Sequence, residues 1–178
     1  MTKNIFTEFF GFPNPVNEVS ARIVAAGVFS ISIVSVLLVY LNMFQNLNSN
    51  YPLIILSLLT YGFIARVATG PKISPLALIV TKIIVPSLKI KEKPVAGPPK
   101  RFAQGIGLFV SGLSLILFIL GLKEVTIIFL VILIIFSSLE SFLNFCAGCK
   151  IFEMLIKFGL IPQKVCDACS NYNPEQPA

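Results

Sequence analysis

The chain alternates between long apolar stretches and short polar ones, and four of the apolar stretches dominate: Ser20 to Leu41, Pro52 to Ala68, Phe102 to Leu122 and Val125 to Phe145. Each is about 17–22 residues long and carries at most one charged side chain, which matches the ~17–25 residues a helix needs to cross the apolar layer of a bilayer. The first two are joined by the Asn-rich segment Gln45 to Asn50, after which Pro52 suits a first helical turn, where its missing N–H costs nothing. The last two are joined by a tight turn at Lys123-Glu124.

Two further helices are expected, both too short and too charged to span. In the first, about 75–85, Ser74-Pro75 provides an N-cap and a first-turn proline, and Leu76, Ile79, Val80 and Ile83 recur at helical spacing. In the second, about 150–158, Lys150, Glu153 and Lys157 share one face while Ile151, Phe152, Leu155 and Ile156 cover the rest. Such amphipathic helices lie in the membrane interface. The segment Lys89 to Pro99, rich in Lys and Pro, is expected to be extended and solvated. The expected fold is therefore an all-α membrane protein over residues 1–178, with four transmembrane helices, two interfacial helices and a cysteine-bearing tail, 159–178. Each half reads as an Arg-bearing entrance, a span, a short outer loop, a second span, a short helix and then Pro86 or Pro162. The entrances, Ala21-Arg22-Ile23 and Lys100-Arg101-Phe102, are alike. A duplicated helix hairpin in parallel orientation and coincidence among apolar segments both account for this.

Composition narrows the class. Charged residues make up 12% of the 178 and apolar ones 56%, whereas a soluble domain carries about 25% charged residues. The net charge of +6 comes from lysines and arginines beside the spans, so a positive-inside topology explains it and no nucleic-acid partner is expected. The two outer loops contain only Lys123 among basic residues. Both termini and all four cysteines are therefore expected on the cytoplasmic side of the inner membrane. Met1 to Glu18 is polar and aromatic, so no cleavable leader is expected; Phe6, Phe9, Phe10 and Phe12 read as an interfacial anchor. The pairs Ala21, Ala25 and Gly107, Ser111 offer small faces for close helix packing.

The chemistry is concentrated in cysteine. Cys146-Ala147-Gly148-Cys149 is followed after sixteen residues by Cys166-Asp167-Ala168-Cys169, and histidine is absent from the chain. That spacing fits four thiolates on a structural zinc or on an iron–sulfur cluster, and equally two dithiols for disulfide exchange. Cys146 and Cys149 lie at the start of a helix with Lys150 adjacent, an arrangement that favours the thiolate, and Gly148 allows a bend. A cytosolic location argues against a permanent disulfide. Glu140 is the one acid within the fourth span. With Ser137, Ser141 and Asn144 it forms a face at i, i+3, i+4 and i+7 that points into the bundle, about 9 Å along the helix from Cys146 at ~1.5 Å per residue. It suits a proton donor for the thiols or a structural ion pair with Arg66, which lies at similar depth. Gly-rich phosphate loops, a Ser-His-Asp set and paired catalytic carboxylates are not found in the sequence.

In combination, several of these residues resemble a bacterial integral-membrane family known as domain of unknown function 4395. The resemblance runs from about Asn14 to Cys169. It rests on Arg66 with Ser74-Pro75, on Pro98-Pro99-Lys100-Arg101-Phe102-Ala103, on Leu139-Glu140 before Cys146-x-Gly148-Cys149, and on Gly159-x-x-Pro162-x-x-Val165-Cys166-x-x-Cys169. It implies a four-span membrane protein and a link to thiol or sulfur metabolism, without an established activity. The functions to be weighed are a thiol–disulfide or sulfur relay, a non-enzymatic membrane subunit that binds zinc or an iron–sulfur cluster, and a small-solute transporter. In the relay, Cys146 and Cys149 would be nucleophile and resolver, Cys166 and Cys169 the exchanging pair, and Glu140 a proton group. The partner would be a thioredoxin-like or sulfurtransferase protein, or a larger membrane complex.

Overall fold

A computed structural model describes residues 12, 15–45, 48–88, 93–95 and 97–159. Four long helices form the bundle: α1 (Glu18–Phe44), α2 (Asn50–Thr69), α5 (Gly97–Ile119) and α6 (Lys123–Phe142). All four are long and apolar enough to cross a membrane, and the chain is a multi-pass membrane protein. At ~1.5 Å per residue α1 is about 40 Å long, more than the ~30 Å apolar layer, so it has length to tilt or to protrude. Between the halves lie α3 (Pro75–Ile79), a widened π turn (Val80–Ile84) and α4 (Val85–Leu88). Pro86 gives the widening a cause: its ring has no N–H for a carbonyl four residues back and clashes with it, and a π turn relieves both. After α6 the chain turns into α7 (Ala147–Lys157).

Polarity across the bundle runs opposite to that of a water-soluble protein. Large apolar side chains such as Leu37, Ile54, Phe109, Ile116 and Ile128 point outward. The interior combines Val39, Leu56, Leu59, Leu130 and Leu133 with buried Ser35, Ser114, Thr126 and Ser137. Each of these hydroxyls donates to the carbonyl four residues earlier, so none is left wanting a partner. With lipid outside, the helices are held together by close packing rather than by expulsion of water. Gly107 provides the closest approach: a Cβ there would fall within the Phe63 ring of α2. Gly27 does the same for Leu76, seating α3 on α1.

The two halves are tied together reciprocally. α1 packs most extensively on α6, and α2 on α5, so each half's first span lies against the other half's second. Arg22, at the start of α1, donates Nε and Nη2 to the Ser141 carbonyl in the last turn of α6, at 3.3 and 3.2 Å. Arg101, at the start of α5, donates Nε to the Val67 carbonyl in the last turn of α2, at 3.0 Å. Both arginines satisfy carbonyls that a helix end leaves unpaired. The matching entrances seen in the sequence thus make matching contacts, as a parallel pair of hairpins would.

Local differences from expectation have physical causes. Pro98 and Pro99 lie inside the first turn of α5, which starts at Gly97 rather than near Phe102. The described part of the linker before it is anchored. β1 (Val16–Asn17) pairs antiparallel with β2 (Pro94–Val95), and Lys93 Nζ lies 2.7 Å from the Glu18 carboxylate. The short helices after α2 do not simply rest on the surface: Ala77, Val80 and Val85 are buried against Val24 of α1. Phe6, Phe9 and Phe10 fall outside the described residues; Phe12 sits under the Arg101 guanidinium, 6.0 Å from ring to cation.

Candidate functional site

α6 ends at Phe142, and the chain reverses over Leu143 to Phe145, with Asn144 in the left-handed region at φ 55°. Asparagine is among the few residues that tolerate that conformation. The turn is closed by the Phe145 amide donating to the Leu139 carbonyl at 3.0 Å. Cys146 follows as the N-cap of α7, with extended backbone (φ −88°, ψ 100°), and its carbonyl accepts from Lys150 N–H at 3.1 Å. Cys149 is three residues on, so the two thiols share the exposed-amide end of the helix. Both are free and half-buried.

Packing of α7 on α5 sets where the thiols stand. Phe152 meets Phe102 with ring centroids 5.5 Å apart. Gly148 lies against the backbone of Ala103, where a Cβ would come within 2.6 Å of the Ala103 Cα. The bend expected at Gly148 is made instead at Asn144, and glycine is needed at 148 for close approach. Gly148→Ala is therefore expected to lever α7 off α5, costing about 1–3 kcal/mol and exposing Cys149. A melting curve and the alkylation rate of Cys149 in the full chain would show it; an unchanged rate and melting point would count against this contact.

Beneath Cys146 lies a small cavity of about 60 Å³, lined mainly by apolar side chains, with Glu140 and Gln104 among the polar ones. Glu140 is held by Lys100, Nζ to Oε1 at 2.6 Å, and the two side chains are only 15% and 10% exposed. Lys100, rather than the expected Arg66, makes the contact with Glu140, and Arg66 interacts with that carboxylate through space. Because α5 begins at Gly97, Lys100 is carried one turn into the bundle, level with Glu140, while its neighbour Arg101 turns about 100° away to Val67. The Arg66 guanidinium instead rests over the Phe63 ring at 4.3 Å. Ser137 is buried on the Glu140 face as expected, but α6 ends before Asn144, which is exposed and not part of that face.

Electrostatics separates the two thiols. The Cys146 thiol is drawn below its ordinary range, chiefly by a hydrogen bond from the Cys149 thiol; burial and Glu140 oppose this, and the Lys100 charge assists it. Cys149, as the donor, is pushed up by that same bond and by burial. The pair therefore loses its first proton easily and its second with difficulty. Lys150, expected to be the helping cation, is occupied at the surface by Glu153 at 2.9 Å. Lys100 takes that role. A signal for it was present in the sequence: Pro98-Pro99 marks a helix start, which places Lys100 within the helix.

Cys166 and Cys169 fall outside the described residues, and so does the expected meeting of the two dithiols. Among the described residues no three metal-ligating side chains cluster. Cys146 and Glu140 line one cavity with Gln104, and Lys100 pairs with Glu140; the sequence reading had not singled out Lys100 or Gln104 as site residues.

The chain belongs to the family described as Domain of unknown function (DUF4395), whose family model matches residues 16–157. The matched region includes Arg66, Lys100, Glu140 and the first dithiol, and it stops before Cys166. No curated protein and no solved structure matches the chain.

Proposed function

We propose that the protein is a membrane dithiol that exchanges with disulfides, with Cys146 as nucleophile and Cys149 as resolving thiol. The observation that carries this reading is the hydrogen-bonded contact of the two thiols at the start of α7, above a buried Lys100–Glu140 pair. The Cys146 thiolate attacks one sulfur of a partner disulfide, forming a mixed disulfide and releasing the other sulfur as thiolate. Cys149 gives up its proton and attacks Cys146, freeing the partner's second thiol and leaving Cys146–Cys149 oxidised. Two electrons pass to the partner, and a second dithiol must return them, either a thioredoxin-like protein or the Cys166, Cys169 pair. That Glu140 and Cys146 line the same cavity supports Glu140 as the group that takes up that proton.

The trapping experiment uses Cys149→Ser in the full chain. A mixed disulfide through Cys146 should accumulate and be absent from Cys146→Ser; equal trapping by both single variants, or by neither, would sink the reading. The asymmetry of basic residues supports a cytosolic location for this site. An impermeant maleimide should then label the cysteines only after cells are opened, and labelling from outside would reverse the orientation. The Cys-x-x-Cys spacing also supports a second reading, a four-sulfur metal site, for which elemental analysis should find about one zinc, or iron with labile sulfide, per chain.

A further inference from the structure

Arg66 is 5% exposed, and two of its guanidinium nitrogens, Nε and Nη1, are buried with no hydrogen-bond acceptor among the described residues. The Phe63 ring supports one face of the guanidinium at 4.3 Å but takes none of its N–H hydrogens in the plane. Arginine cannot shed its charge to relieve this, because the guanidinium stays protonated in proteins. Glu140 attracts it through space but makes no ion-pair contact with it, because that carboxylate is held by Lys100 at 2.6 Å. Glu18, another acid at this end among the described residues, is held by Lys93 at 2.7 Å, so Arg66 is left without an ion-pair contact among them.

Arg66 and Lys100 both line a second, larger cavity of about 230 Å³, together with Asn17, Ser20, Thr81 and Gln104. Gln104 contributes another buried polar atom without a partner, Oε1; turned over, the same amide presents its NH₂ group. The Asn17 oxygen is taken by the Val19 amide at 3.0 Å, which leaves its NH₂ as a donor. The cavity thus offers two cations and several neutral donors, and the two acids nearby among the described residues, Glu140 and Glu18, are already paired with Lys100 and Lys93. We propose that this cavity binds an oxyanion, with Arg66 as its counterion. A free inorganic or carboxylate anion and the phosphate of an anionic phospholipid share this recognition chemistry. The site also adjoins the dithiol cavity, because Val24 and Gln104 line both. The proposal does not depend on the thiols exchanging with anything.

The test uses the full chain in nonionic detergent, with sodium sulfate, phosphate or acetate set against sodium chloride at matched ionic strength. Saturable binding by calorimetry is expected for at least one oxyanion, with a melting point raised by roughly 5–10 °C at a hundredfold excess over Kd. Arg66→Gln should weaken it tenfold or more, with Arg66→Lys in between. In parallel, native mass spectrometry after reconstitution with phosphatidylglycerol or phosphatidylcholine reads the lipid source. One phosphatidylglycerol retained per chain and lost in Arg66→Gln identifies a lipid phosphate, whereas saturable inorganic or carboxylate binding identifies a free anion. Neither response in the native chain overturns the site, as does binding that Arg66→Gln leaves intact. If Arg66→Gln does not fold, Ser20→Asp supplies an internal carboxylate to the same cavity. It should raise the melting point and remove the anion response, and a lowered melting point with that response unchanged overturns the proposal. Loss of disulfide exchange in Cys146→Ser with anion binding retained would separate this site from the dithiol.

Discussion

Glu140→Gln is expected to destabilise the protein by about 3–4 kcal/mol, the usual cost of leaving one member of a buried ion pair without its partner. The substitution keeps the side chain's shape but removes the charge that faces Lys100 at 2.6 Å. Unfolding of the full chain in mixed micelles would measure it, and a loss below about 1 kcal/mol would mean that water already neutralises the pair. Replacing both partners, with Lys100→Met and Glu140→Leu, should recover most of the loss, since a well-packed apolar pair often equals a buried ionic one. The same variants decide between Lys100 and Arg66 as the partner. If Lys100→Met fails to offset Glu140→Gln while Arg66→Gln does so, the pairing described here is wrong.

Cys146 is expected to be alkylated at least tenfold faster than Cys149 at neutral pH, because only the thiolate reacts and Cys146 ionises first. Cys149→Ala removes the hydrogen bond that lowers the Cys146 thiol, so the reaction at Cys146 should slow severalfold and its midpoint should move to higher pH. Glu140→Gln should do the reverse, since the carboxylate opposes ionisation of Cys146. Rate against pH at each of the two sites, resolved by mass spectrometry of peptides from the chain with both thiols present and from each variant, is the measurement, and faster reaction at Cys149 would reverse the assigned roles. Stability follows with a defined sign. Cys146 ionises more readily folded than unfolded. Its contribution is complete above the ordinary thiol value of ~8.5 and is lost as pH falls through the lower folded value. Cys149 behaves oppositely: its contribution is full below ~8.5 and is lost as pH rises toward its raised folded value. Stability should therefore climb as pH rises toward ~8.5 and decline beyond it.

Local rules account for much of the architecture. Apolar length set the four spans, and glycines at Gly70, Gly121 and Gly159, all with positive φ, mark helix or turn ends that side-chain sterics would otherwise disfavour. The proximity of Cys146, Cys149 and Glu140 was also legible, because all three lie within ten residues of one another along α6 and α7. Pairing across helices was not. Hydropathy placed Arg66 and Glu140 at comparable depth, yet depth says nothing of rotation, and one residue along a helix turns a side chain by about 100°. Rotation and axial register follow close approaches between helices, Gly107 on Phe63, Gly27 on Leu76 and Gly148 on Ala103, of which the last meets backbone and leaves no room for a Cβ. Those contacts brought Lys100 to Glu140, left Arg66 facing a cavity, and made Lys100 rather than Lys150 the cation beside the thiols. Sequence by itself determined which segments enter the membrane, since that depends on each segment's own transfer from water. Tertiary structure alone decided which buried charges meet, because that depends on two surfaces fitting at once.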